Sequence, residues 1–234
     1  MNNKLNKIVI ATGGTGGHIF PAYSLAKHFI DKRINVEIIS DKRGLKFLKD
    51  YKDIRINVIV STTIFKKDIL KFLLSILIFL YSIFKSSIFL LRNRPNLVFG
   101  MGGYSSFPVC VAAKILRIPF IIYENNLQIG KANRYLLPYA KKIFVSHLEL
   151  DGISKKYNNK VCRIGNIIRK EIFDFNDISN NDSKDQKIKI LILGGSQAAK
   201  VFGEQLPQIF KLCNDAKIPL KIYQQCLFEQ NQFL

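Results

Sequence analysis

The sequence predicts an α/β protein: an open parallel sheet covered by helices on both faces, followed by a second, incomplete α/β unit. Three observations carry that prediction. Short apolar segments alternate with helical ones through the first 145 residues, and glycine-rich turns follow several of the apolar segments. A polar break at 174–187 (DFNDISNNDSKDQK) then precedes a fresh strand–turn–helix–strand pattern. The 234 residues are 48% hydrophobic, enough for a packed core and too many for a disordered basic tail. Four cysteines without a CxxC pair argue against a zinc site or a disulfide framework, and fit a reducing compartment.

Residues 7–12 (KIVIAT) read as the first buried strand, with no secretory leader before it. Further strands are expected at 35–40, 54–60, 96–100, 119–122 and 142–145, with helices near 20–32, 68–91, 106–116 and 131–139. After the polar break come a strand at 188–193 (IKILIL), a helix near 198–214 and a strand at 219–223. One βαβ unit cannot close a core, so the second domain is expected to be incomplete.

The glycine turns are the candidate site. GGTGGH at 13–18 lies between a strand and a helix, where backbone amides and the helix dipole favour an anion. Its spacing fails the dinucleotide fingerprint, because Ile19 stands where a third glycine would fall, and no Walker lysine follows. The device recurs: GMGGYSSFP at 100–108 echoes GTGGHIFP at 14–21, and GGSQ at 194–197 follows a strand of the second unit. Pro21 and Pro108 suit first helical turns. Loops at equivalent strand ends point to phosphate groups in a shared cleft. His18, at a helix start, is a candidate base, since the dipole there disfavours imidazolium; a structural role is the alternative. Glu124 and Asn126, within YENNLQIGKANR at 123–134, are placed to face the same cleft, or to brace an ordinary loop.

Net charge is +19, from 36 Lys+Arg against 17 Asp+Glu. Nucleic acid, an anionic membrane, phosphorylated substrates or compositional drift each account for such an excess. Nucleic-acid binding lacks a helix-turn-helix, RNA-recognition or zinc signature and is set aside. The stretch 68–91 is the most hydrophobic part of the chain, but its uncharged run, Phe72 to Phe84, is too short to span a bilayer. With Leu73, Leu77 and Phe79 on it and Lys71 and Lys85 bounding it, it suits a helix lying on an anionic membrane surface, with a fully buried core helix as the alternative. Its serines, Ser75, Ser82, Ser86 and Ser87, supply only a thin polar face.

GGTGGHIFPA at 13–22, GMGGYSSFP, YENN at 123–126, GNIIR at 165–169 and GGSQAAK at 194–200 together resemble the bacterial undecaprenyldiphospho-muramoylpentapeptide N-acetylglucosaminyltransferase family. The resemblance implies a GT-B enzyme of two Rossmann-like domains: residues 1–164 binding acceptor and membrane, and residues 165–234 forming part of a UDP-sugar donor domain. It implies transfer of N-acetylglucosamine from UDP-GlcNAc to the C4 hydroxyl of a polyprenyl-diphosphate-linked muramoylpentapeptide. That reaction inverts the sugar, needs no metal or cofactor, and takes place at the cytoplasmic face of the bacterial inner membrane. Thr15, Gly16, Gly17, Asn126, Arg169 and Ser196 are implied donor contacts. Gly14, Gly102, Gly103, Tyr104 and Glu124 are implied acceptor contacts, with His18 as base. Three positions depart from the family pattern. His-Glu-Gln-Asn reads Tyr123-Glu124-Asn125-Asn126, and Ala198 stands where glycine is usual. The second domain has about half its usual length, so little activity is expected from this chain without a complementing C-terminal fragment. The alternative is a non-catalytic membrane-surface module of the same descent.

Overall fold

A computed structural model describes residues 6–49, 51, 53–60, 69–147, 149–174, 187–194 and 198–225. The chain divides into two compact units, Met1–Asp177 and Ile178–Leu234.

In the first unit seven strands form one parallel sheet in the order β3-β2-β1-β4-β5-β6-β7. They are β1 (Lys7–Ala11), β2 (Asn35–Ser40), β3 (Arg55–Val58), β4 (Leu97–Gly100), β5 (Phe120–Glu124), β6 (Lys142–Val145) and β7 (Val161–Arg163). The connecting helices are α1 (Gly16–Asp31), α2 (Lys42–Leu48), α3 (Ile69–Asn93), α4 (Gly103–Ile115) and α5 (Lys131–Leu136), with α6 (Lys170–Asp174) after β7. Alternation along β1 separates two cores. Ile8 and Ile10 pack with Ile19, Ala22 and Ala26 of α1, while Val9 and Ala11 face Leu90 of α3 and Val109, Ala112 and Ala113 of α4. The strand order reverses between β1 and β4, which places the ends of those two strands at the topological switch point.

The predicted strands and long helices of this unit are all present. Both glycine-loop helices begin earlier than predicted, at Gly16 and Gly103, so Pro21 and Pro108 are each the sixth helical residue rather than first-turn residues. A proline there removes an N–H that the carbonyl four residues back would have accepted. At Pro21 that carbonyl belongs to Gly17, and it accepts instead from Asn125 Nδ2 at 3.2 Å. The lost helical bond thus ties the first glycine loop to the end of β5.

Helix α3 turns its apolar side outward and its serines inward, as the membrane-surface reading expects. Ser75, Ser82 and Ser86 are buried, while Leu73, Leu77, Leu80 and Phe84 are exposed. The small side chains let α3 approach α4 closely. Two hydroxyls are served locally, Ser75 Oγ donating to Phe72 O and Ser82 Oγ lying within reach of Ile78 O, whereas Ser86 Oγ has no hydrogen-bond partner among the described residues. Phe79 lies on the packed side, its ring 5.5 Å from that of Phe107 on α4, because 75, 79, 82 and 86 form one stripe at helical spacing. The expected membrane-facing set therefore keeps Leu73, Leu77, Lys71 and Lys85 on the outer face and loses Phe79 to the core.

The second unit carries two parallel strands, β8 (Ile188–Ile192) and β9 (Leu220–Gln224), joined by α7 (Ala198–Asp215). Leu191, Leu193, Leu212 and Tyr223 are exposed in it.

Candidate active site

Four strand ends build the site. After β1, Gly13 and Gly14 turn the chain into α1; after β4, Met101 and Gly102 turn it into α4. The loops interlock. A β-carbon on Gly13 would fall 1.8 Å from Ser105 Oγ, and one on Gly103 would fall 3.0 Å from the carbonyl oxygen of Gly13. No larger residue fits at Gly13, so the backbones of the two loops touch where the sheet order reverses.

His18 stands in the first turns of α1 with its ring over Gly102, whose added β-carbon would meet Cε1 at 2.9 Å. Burial lowers the His18 pKa from its ordinary value. Glu124 and the nearby Met101 backbone pull weakly the other way, without a hydrogen bond of good geometry at Nδ1. The imidazole is thereby held neutral, with Nδ1 able to take a partner.

His18, Gly102, Gly103, Tyr104, Glu124 and Asn126 line one cavity of about 240 Å³, together with Gly130, Lys131 and Asn133. Six of the predicted residues thus converge. Tyr104 presents half of its surface to solvent at the mouth. Glu124, 2% exposed, spends its carboxylate on the loop that follows it. Oε1 accepts from Asn126 Nδ2 at 2.7 Å and from Asn126 N at 3.2 Å, while Oε2 accepts from Gly130 N at 2.8 Å and Asn133 Nδ2 at 3.0 Å. Glu124 therefore shapes the cavity wall by bracing residues 126–133, and it aims Asn126 as it does so.

The remaining predicted residues lie around this core. Thr15 caps α1 without a side-chain bond to the helix, so its hydroxyl and the first-turn amides of Gly16 and Gly17 remain at the helix start. Gly14 donates its N–H to Asp41 Oδ1 at 3.1 Å, so that amide is already engaged within the protein. Arg169 stacks on Phe20, 4.7 Å from guanidinium to ring centroid, and Phe20 packs against Gly16; the cation thus sits beside the first loop and outside the His18 cavity. Ser196 lies outside the described residues.

Sequence reasoning missed Asp41, Arg43 and Asn133. Asp41 caps α2, accepting from Gly44 N at 2.8 Å, and an Asp three residues before a helical amide was the signal available. Nothing in the sequence marks Asn133, which is 3% exposed with Oδ1 unpartnered. Tyr123, at the first departure from the family pattern, has a structural task. Its hydroxyl donates to Gly165 O at 3.4 Å and accepts from Ile167 N at 3.3 Å, holding the 165–169 segment to the sheet. Among the described residues no group of His, Cys, Asp and Glu is arranged to hold a metal ion.

An open parallel sheet with paired glycine loops at its switch point puts a half-buried imidazole at the strand ends where such sheets bind ligands. Residues 8–145 match the N-terminal domain of glycosyltransferase family 28, and the chain belongs to that family. Relatives include UDP-N-acetylglucosamine–N-acetylmuramyl-(pentapeptide) pyrophosphoryl-undecaprenol N-acetylglucosamine transferases. That of Pelagibacter ubique is 37% identical over 94% of this chain and 60% of its own length. That of Francisella tularensis subsp. holarctica is 34% identical over 96% of this chain and 62% of its own. The crystal structure of Acinetobacter baumannii MurG superposes with a TM-score of 0.70 at 26% identity, over 97% of this chain and 60% of that one. The UDP-GlcNAc 2-epimerase of Neisseria meningitidis shares the fold alone, with a TM-score of 0.57 at 16% identity over 96% of this chain and 67% of its own. The chain spans about 60% of the length of the transferase relatives.

Proposed function

We propose that this chain serves the transfer of N-acetylglucosamine from UDP-GlcNAc to the C4 hydroxyl of a polyprenyl-diphosphate-linked muramoylpentapeptide. The observation that carries the reading is His18: a half-buried imidazole with lowered pKa, seated on the second glycine loop and lining a cavity of about 240 Å³. Neutral His18 takes the proton as the O–H bond of the C4 hydroxyl breaks. The O4–C1 bond forms from the face opposite UDP, the C1–O bond to the diphosphate breaks, and UDP leaves with the electron pair, so the anomeric centre inverts. First-turn amides of Gly16 and Gly17, the Thr15 hydroxyl, Asn126 and Arg169 meet the donor. Gly102, Gly103, Tyr104 and the loop braced by Glu124 meet the acceptor. Leaving-group charge is met by amides and Arg169 without a metal.

Residues 1–164 take the acceptor and membrane roles, and residues 165–234 the donor role. Ten large apolar side chains of α3, among them Leu73, Leu77 and Leu80, stand exposed beside Lys71 and Lys85. That pattern supports peripheral attachment to the anionic cytoplasmic face of a bacterial inner membrane. The uncovered Leu191, Leu193 and Tyr223 of the second unit support a further partner, a complementing polypeptide that buries them. The test is calorimetric titration of the chain with a short-prenyl lipid-linked acceptor, paired with glucosaminyl transfer in EDTA by the chain supplied with a complementing C-terminal fragment. Acceptor binding, and transfer slowed about a hundredfold or more by His18→Ala, are expected. No acceptor binding, or equal turnover by the variant, sinks the reading.

A further inference from the structure

The first glycine loop has a second side, facing β2. Asp41, 3% exposed, follows β2 and bridges that side: Oδ1 accepts from Gly14 N at 3.1 Å and Gly44 N at 2.8 Å. Oδ2 accepts from Arg43 Nε at 3.2 Å and Nη2 at 3.0 Å. One edge of the guanidinium is thus fixed by a buried carboxylate, while the Arg43 side chain remains 58% exposed. Its Nη2 lies 4.0 Å from where a Gly14 β-carbon would stand, in otherwise open space.

This geometry has a consequence for charge. The Gly14 amide, which a phosphate-cradling reading assigns to the ligand, is engaged by Asp41, and Asp41 also sets a negative charge beneath the loop. An incoming diphosphate meets that carboxylate as well as the helix dipole. Arg43 lies over the carboxylate and keeps donors directed outward, Nη1 and the second hydrogen of Nη2. A guanidinium oriented in this way offers a planar fork to phosphate oxygens, which a free lysine does not.

We propose that Arg43 contacts the diphosphate bound at the start of α1, and that Asp41 is the positioning residue that aims it. The assignment rests on the glycosyltransferase reading above and adds a specificity determinant to it: a side chain that distinguishes diphosphate from monophosphate. Two ligands carry that chemistry, the UDP of the donor and the prenyl-linked diphosphate of the acceptor, and the loop is open to both.

The experiment measures affinity in two arms, on the wild-type chain, Arg43→Gln, Arg43→Lys and Asp41→Asn. One arm compares UDP with UMP; the other compares short-prenyl diphospho- and monophospho-muramoylpentapeptide. Arg43→Gln is expected to weaken the diphosphate ligand of one arm about tenfold and its monophosphate counterpart less than twofold, and the affected arm identifies the source. Arg43→Lys, which keeps the charge and loses the fork, and Asp41→Asn, which loses the aim, are expected to fall between. Arg43 is largely exposed, so its variants fold, and an unchanged thermal midpoint verifies it. If the wild type binds a diphosphate ligand and Arg43→Gln binds it equally well, the Arg43 assignment is overturned and the transferase reading stands. If the wild type binds no diphosphate ligand in either arm, both fall.

Discussion

Gly102 offers a direct test of whether the second glycine loop positions the base. Its φ of 89° and ψ of 179° lie in a region that only glycine occupies without strain. Gly102→Ala therefore costs about 2 kcal/mol in backbone energy alone. The added methyl would also sit 2.9 Å from His18 Cε1 and 3.0 Å from Nδ1, distances that real β-carbons do not tolerate, so the imidazole must shift. Gly14→Ala is the matched control. Its φ of 86° imposes a comparable strain, about 1–3 kcal/mol, but the methyl enters open space with only Arg43 Nη2 at 4.0 Å.

Thermal unfolding should lower both midpoints, by about 4–8 °C for a 2 kcal/mol loss in a domain of this size. Proton NMR titration of the histidine ring should separate them. His18 resonances and its titration midpoint move in Gly102→Ala and hold their positions in Gly14→Ala. Equal His18 spectra in the two variants would refute the claim that the β4 loop seats the base. Wild-type stability in Gly102→Ala would refute the strain argument itself.

Four further outcomes are expected. Because the folded pKa of His18 lies below the 6.5 of the free side chain, the unfolded state takes up the proton first. Stability is therefore unaffected by His18 above pH 6.5 and declines as pH falls through the window between that value and the folded pKa; a urea-denaturation series should show a shallower acid decline in His18→Gln. On α3, Ser86→Leu overpacks a fully buried site and should cost about 1–3 kcal/mol, whereas Leu77→Ser should change stability by less than about 0.5 kcal/mol. Sedimentation with anionic vesicles should be lost in Leu77→Asp with Leu80→Asp, and its retention would argue against the membrane face. Tyr123→Phe removes the hydroxyl shared by Gly165 and Ile167 and should cost about 1 kcal/mol, with faster amide exchange at Ile167 as the local readout.

The sheet was legible because parallel strands buried on both faces read as continuous apolar runs, such as KIVIA and NVEII. The paired loops were legible because glycine is required where backbones touch, and that requirement leaves a mark in the sequence at Gly13, Gly102 and Gly103. The helix starts were read several residues late, since Pro21 and Pro108 imitate first-turn signals and only the Asn125 bond to Gly17 reveals how the gap is filled. The outer face of α3 was legible from Leu73, Leu77 and the flanking lysines, but Phe79 was placed on it wrongly: nearly every position of α3 is apolar, so the serines that permit close packing decide which side turns inward, and Phe79 shares their stripe. Asp41, Arg43 and Asn133 carry no periodic or motif signal. They act through three-dimensional bridges between strand ends that are distant in sequence, and those bridges exist only once β2, β1 and β5 are set side by side.

The charge excess acquires meaning from the same placement. Arg33, Arg94, Arg117 and Lys217 each occupy the left-handed position that ends a long helix, at φ between 44° and 62°, where glycine is the usual residue. A cation there costs about 1 kcal/mol in backbone strain and recovers part of it at the negative end of the helix dipole. Lys71, Lys85 and Arg92 belong to the exposed apolar helix, and Lys85 lies over the Tyr81 ring on that face. Cations placed in this way act on helix ends and on a surface, and contribute little to the cleft. Lys131 lines the His18 cavity, and the first-turn amides of α1, Arg169 stacked on Phe20 and Arg43 held by Asp41 stand beside the first glycine loop. On the proposed reading, selectivity for a diphosphate rests on these few oriented donors, and a protein of lower net charge with the same strand ends would keep it.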